Sequence, residues 1–151
     1  MEQMSNKELI ITALNTFVKR DGILNLISWL ENSDFFTAPA STKYNLSVSG
    51  GLAQHAINRL NSLLALLLKI PITLPELLEE AADADIDATY FSGIKDVTIE
   101  SVILIGLLAD VSKVRCYEKA IKNVKNEETQ KWEAVEYWKW NEKFVYATRG
   151  T

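Results

Sequence analysis

The chain has 151 residues, of which 48% are hydrophobic and 24% are charged, a composition that fits one globular domain and excludes a disordered tail. Its net charge of −4 argues against nucleic acid as a partner, because broad attraction to phosphates needs an excess of Lys and Arg. A single cysteine excludes an internal disulfide and fits a reducing cytosol. The N-terminus lacks the basic region of a secretory signal, and no apolar stretch is long enough to span a bilayer. We therefore expect a cytoplasmic protein without a membrane partner.

The first two thirds of the chain predict helices. Ser5 and Glu8 have the spacing of a capping box, so a helix should begin there and end at Gly22. A second short helix should follow, and residues 32–51 lack a helical period and predict a long ordered loop. Apolar residues then recur at helical spacing over 52–70, and a further helix should begin near Pro75. Residues 99–114 are apolar almost all round, which predicts a helix in the core.

The last third predicts a β-hairpin. Two β-rich runs, 117–125 and 132–140, are separated by a polar segment. Trp132, Trp138 and Trp140 fall on one face of the second run. They indicate either a packed hairpin or an exposed aromatic surface that binds a partner protein. The expected fold class is mainly α, as one domain over 1–151 with a helical part (1–116) and a hairpin region (117–146).

Two segments carry a resemblance to a known family. A-P-A-S-T-K-Y-N-L at 38–46 leads into G-G-L-A-Q-H at 50–55, and L-L-A-D-V-S-K lies at 107–113. They resemble the HD-domain phosphohydrolases, especially small phage and prophage members, which typically read K-x-H, G-G-L-x-x-H and G-L-L-H-D-x-x-K. The resemblance spans about residues 25–147. It implies an HD-like helical bundle in which histidines and a carboxylate hold one or two divalent metals that activate water against a phosphoester.

The sequence departs from that pattern at the metal ligands. Asn45 stands in place of one histidine and Ala109 in place of another, and His55 is the only histidine of the chain. His55 and Asp110 would then be vestigial ligands, too few to hold a transition metal. We expect no cofactor, with weak Mg²⁺ or Mn²⁺ binding only if activity persists. The missing ligands favour a protein that is not an enzyme.

Several functions stay open at this point. The resemblance implies a pseudo-enzyme of phage or mobile-element type, acting in the host cytoplasm by sequestering a nucleotide signal or inhibiting a host defence protein. The alternatives are a residual metal-dependent phosphohydrolase and a protein–protein module that uses the tryptophans. His55 and Asp110 could also form a purely structural pair, and Lys113 could be a surface lysine. The chain could act as a monomer or as a homo-oligomer. The predicted ligand-binding residues are Lys43, Asn45, His55, Arg59, Asp110 and Lys113.

Overall fold

Helices and then a two-stranded antiparallel hairpin make up the computed structural model, which describes residues 3–143. This confirms the expected fold class at the level of a mainly helical chain that ends in a hairpin. Residues 144–146 of the predicted hairpin region lie outside the described residues. The helices are α1 (Asn6–Phe17), α2 (Ile23–Asn32), α3 (Gly51–Leu68), α4 (Leu74–Ala81) and α5 (Ile99–Leu108), with a π-helical turn at Asp87–Phe91 and a 3₁₀ turn at Val111–Lys113. The strands are β1 (Tyr117–Lys125) and β2 (Trp132–Trp140).

The start of α1 follows the prediction, and its end does not. The Ser5 hydroxyl accepts a hydrogen bond from the Glu8 amide at 3.2 Å, and the Ser5 amide donates to the Glu8 carboxylate at 2.7 Å. The prediction that Gly22 ends this helix is wrong, because Val18 already adopts an extended backbone after Phe17. Gly22 instead precedes α2 with φ 91°, a left-handed conformation that glycine adopts without strain.

The core is built around α3, with α1 and α5 packed against it. Leu14, Leu60 and Leu107 are fully buried. Gly106 of α5 lies tightly against α3, since a Cβ atom there would lie 2.8 Å from Leu60 Cδ1 and 3.1 Å from Leu60 Cα. A side chain at position 106 would therefore require Leu60 to shift by a few tenths of an ångström. Helices α3 and α5 are the ones that position the candidate site.

The helix predicted over 99–114 is shorter than expected. It ends at Leu108, and Asp110 leaves helical geometry with φ −108° and ψ 21° before the 3₁₀ turn. The apolar pattern continues through Val111 and Val114, which pack against the core from the turn, so periodicity could not locate the end of the helix. The predictions near Pro75 and over 52–70 are correct to within two residues.

The hairpin pairs Tyr117 with Trp140 at its base and Lys125 with Trp132 at its tip. At the turn, the Asn126 side-chain oxygen accepts from the Glu128 amide at 2.9 Å. Of the hairpin residues, Tyr117 and Trp138 pack against the helical core. Among residues 3–143, no helix is both long enough and apolar enough to cross a membrane.

Candidate functional site

The loop over residues 33–50 is held by backbone hydrogen bonds and places Asn45 beside α3. The Ala40 amide donates to the Leu46 carbonyl at 3.1 Å, and the Leu52 amide donates to the Ala38 carbonyl at 3.0 Å. Gly51 has no room for a side chain, because a Cβ atom there would overlap the Leu46 carbonyl oxygen. Gly51 therefore lets the loop lie directly against the first turn of α3.

A side-chain cluster forms where α3 faces the turn that follows α5. His55 and Arg59 are one helical turn apart and share a face of α3. The Asp110 carboxylate forms an ion pair with the Arg59 guanidinium, and Asp110 Oδ2 lies 3.5 Å from His55 Nε2. Lys113 Nζ lies 3.8 Å from the same oxygen, and the Asn45 amide nitrogen lies 3.4 Å from His55 Nδ1. We call Asn45, His55, Arg59, Asp110 and Lys113 the Asp110 cluster.

His55 is neutral near pH 7. Partial burial is the main cause that lowers its pKa, and the positive charges of Arg59 and Lys113 lower it further, against the opposite influence of Asp110. Its contact with Asp110 is therefore not an ion pair, although the distance alone would allow one. With Nδ1 accepting from the Asn45 amide, the ring proton lies on Nε2 and faces the carboxylate.

Lys113 also ties the cluster to the loop. Its ammonium donates to the Ala40 carbonyl at 3.1 Å, and the Tyr117 hydroxyl donates to the same oxygen at 3.2 Å. Burial, together with Cys116 and Asp110, raises the pKa of Tyr117 to about 12, so its hydroxyl keeps its proton. Sequence patterns gave no sign of this arrangement, because the acceptor is a backbone atom.

The structure brings five of the six predicted ligand-binding residues together. Lys43 is the exception: it is exposed, and its ammonium lies 5.3 Å from the centroid of the Tyr44 ring. Within the described part of the chain, no hydrogen bond or ion pair joins Lys43 to the Asp110 cluster. Within the Asp110 cluster, the Arg59 Nη1 atom is buried and has no hydrogen-bond partner among residues 3–143.

The three predicted partner-binding tryptophans have different surroundings. Trp138 packs against the core, and the Trp140 ring lies 4.8 Å from that of Tyr117. Trp132 at the tip is 70% exposed. The packed interpretation therefore fits Trp138 and the exposed interpretation fits Trp132, whereas Trp140 contacts Tyr117 but is 38% exposed.

The Asp110 cluster does not fit a divalent metal. Within residues 3–143, no group of three or more His, Cys, Asp or Glu side chains could hold a metal ion. The Asp110 carboxylate is already paired with Arg59 and has Lys113 beside it, so a metal ion would meet two positive charges.

Comparisons with known proteins found no matching family model, no similar curated protein and no similar solved structure.

Proposed function

We propose that the protein is an HD-like pseudo-enzyme that binds an anionic, nucleotide-like ligand at the Asp110 cluster without hydrolysing it. The observation that carries this proposal is the charge of the cluster. Arg59 and Lys113 surround one carboxylate, and the imidazole is neutral, which leaves an excess positive charge in a chain of net charge −4.

The donors of the cluster suit phosphate oxygens. The guanidinium of Arg59 can bind two oxygens at once: Nη2 pairs with Asp110, and Nη1 has no hydrogen-bond partner among the described residues. Because Nη1 is buried, a phosphate oxygen reaches it only when neighbouring groups move. Lys113 adds a point charge, and His55 Nε2 and the Asn45 amide add neutral donors. A phosphate at this place would accept hydrogen bonds from Lys113 and from the second amide hydrogen of Asn45, and would compete with Asp110 for Arg59 and for His55 Nε2.

The same contacts argue for binding rather than hydrolysis. Hydrolysis of a phosphoester needs an activated water, supplied by a metal or by a free general base. Asp110 is paired with Arg59, and the Nδ1 lone pair of the neutral His55 ring accepts from the Asn45 amide, so neither group is a free base. The metal ligands of the resembled family are replaced at Asn45 and Ala109. The contact between His55 and Asp110, 55 residues apart in the chain, supports an HD-like scaffold, since the two motifs that suggested the resemblance meet there.

Calorimetric titration with mono-, di- and cyclic nucleotides tests the proposal. We expect at least one class of nucleotide to bind, and Arg59→Gln to weaken it by roughly 10- to 100-fold, the loss that follows from one charge-assisted hydrogen bond. Arg115→Gln removes an exposed guanidinium outside the cluster and is the matched control. No heat across the whole panel, or equal losses in the two variants, would refute the proposal.

A turnover assay separates binding from residual chemistry. The protein is incubated with each bound nucleotide and added Mn²⁺, and the products are separated by chromatography. We expect the nucleotide to be recovered intact. Hydrolysis that disappears in Asp110→Ala would instead establish a phosphohydrolase and exclude a pseudo-enzyme.

A further inference from the structure

The hairpin leaves its first strand open to addition of another strand. β1 and β2 form a two-stranded sheet, so within the described residues nothing pairs with the outer edge of either strand. Only the base of the hairpin, through Tyr117 and Trp138, packs against the helical core. A two-stranded sheet is marginally stable alone in water, and a third strand stabilises it.

Apolar side chains flank the free edge of β1 on both faces. Ile121 is 69% exposed and Val124 is also exposed. Their separation by three positions puts them on opposite faces of the strand, because side chains alternate. A strand added along β1 would bury both side chains, a gain that neither face obtains from the helical body.

The charges on β1 select the kind of strand. Glu118 and Lys119 are balanced by β2, since Lys139 lies 3.3 Å from Glu118 and Glu136 lies 3.9 Å from Lys119. Lys122 and Lys125 form no ion pair among the described residues, and Lys122 lies 4.9 Å from the centroid of the Tyr137 ring. These two lysines leave the edge of β1 positively charged, so it repels a second copy of β1 and attracts acidic side chains.

We propose that the outer edge of β1 binds an extended, acidic segment of a partner protein as a third strand. Backbone hydrogen bonds supply the pairing, as in other cases of strand addition. Carboxylates of the partner lie opposite Lys122 and Lys125, and its apolar side chains cover Ile121 and Val124. This site is separate from the Asp110 cluster and does not depend on nucleotide binding.

Nuclear magnetic resonance of the full chain provides the test. The probes are a nine-residue peptide of three Glu-Val-Thr repeats and the same peptide with Lys in place of Glu. In an antiparallel third strand, this period of three places Val opposite Ile121 and Val124, and Glu opposite Lys122 and Lys125. We expect the acidic peptide to shift the backbone amides of residues 118–125 and to bind about tenfold more tightly than the basic peptide. The double variant Lys122→Glu, Lys125→Glu should reverse this preference.

A second double variant controls for net charge. Lys69→Glu with Lys95→Glu changes the total charge equally, at exposed positions outside the hairpin, and should keep the preference for the acidic peptide. Unchanged resonances of α3 and α5 in each variant show that the fold is intact. The proposal is wrong if the acidic peptide causes no shifts at millimolar concentration, if the shifts follow residues 132–140, or if the hairpin pairs with a second copy of the chain.

Discussion

His55 shows how neighbouring charges decide the state of one residue. An imidazole 3.5 Å from a carboxylate is commonly charged, but Arg59 and Lys113 lie near the same carboxylate. Burial and these two cations lower the pKa of His55 more than Asp110 raises it. The folded protein therefore favours the neutral ring, and the unfolded chain binds a proton more readily.

This difference predicts a pH dependence of stability. In the unfolded chain the pKa of a histidine is about 6.5, above the value of His55 in the fold. The stabilisation is present above about pH 6.5 and is lost as the pH falls towards the lower, folded-state pKa, because only the unfolded chain takes up the proton in that range. We expect urea unfolding between pH 7.5 and 5 to show this loss in the wild type and a smaller loss in His55→Gln. Parallel curves for the two proteins would contradict the assignment.

At the level of residues, the sequence motifs predict which side chains lie together, but they do not predict side-chain hydrogen bonds to backbone atoms such as the Ala40 carbonyl. The two motif segments predicted that His55, Asp110 and Lys113 lie together, and they do. Lys43 belongs to the same predicted ligand-binding set, yet its side chain lies over Tyr44 in the exposed loop. The direction of an exposed side chain depends on the loop backbone, which residue types alone do not specify.

At the level of elements, the pair α3 and α5 decides the geometry of the Asp110 cluster. Gly106 lets the two helices approach, and Leu60 fills the space beside it. Arg59, which pairs with Asp110, is adjacent to Leu60 in the chain. A change in helix separation at this point therefore also moves the ion pair.

Gly106→Ala tests this coupling between packing and site. The added methyl group would overlap Leu60, so we expect a loss of about 1–3 kcal/mol in the free energy of unfolding, the usual range for overpacking. Nucleotide affinity should fall as well, if calorimetry detects binding to the wild type. Gly93→Ala is the matched control, because nothing lies within 4 Å of a Cβ atom there. Equal stability of the two variants in urea would contradict the packing argument.

The boundaries of the elements were predictable where a cap is encoded and unpredictable where tertiary contacts decide. The capping box at Ser5 and the start of the helix near Pro75 both follow from local chemistry. The end of α5 does not, because the turn at Asp110 is stabilised by a partner on α3. The expected end of α1 at Gly22 is wrong, because a glycine between two helices can end the first or precede the second, and here it precedes α2.

At the level of the whole molecule, the chain divides into a helical body and a hairpin that contacts this body only near its base. Periodicity alone predicted this division, because a helical repeat changes to an alternating one after residue 116. It did not predict which tryptophans face the body, since all three fall on one face of β2. The difference arises from distance along the strand, with Trp138 near the body and Trp132 at the tip.

Two tryptophan substitutions measure the attachment of the hairpin. Trp138→Ala should lower the free energy of unfolding by about 2 kcal/mol, because the ring packs against the core but keeps some exposure. Trp132→Ala should change it by less than about 0.5 kcal/mol, since that ring is largely exposed. Urea unfolding followed by the helical circular dichroism signal gives both values. A larger loss for Trp132→Ala would mean that the tip contributes to the fold.

The carbonyl oxygen of Ala40 accepts hydrogen bonds from both Lys113 and Tyr117, and so joins the loop, the 3₁₀ turn and the first residue of the hairpin. Every amino acid carries a backbone carbonyl oxygen, so a substitution at position 40 does not remove this acceptor. Position 40 should therefore respond to mutation according to the volume of its buried side chain, with proline as the exception, because it removes the amide that donates to Leu46. The side chains of Lys113 and Tyr117 donate these hydrogen bonds and can be replaced by mutation. A mutational scan should therefore find that positions 113 and 117 tolerate only side chains that can donate a hydrogen bond.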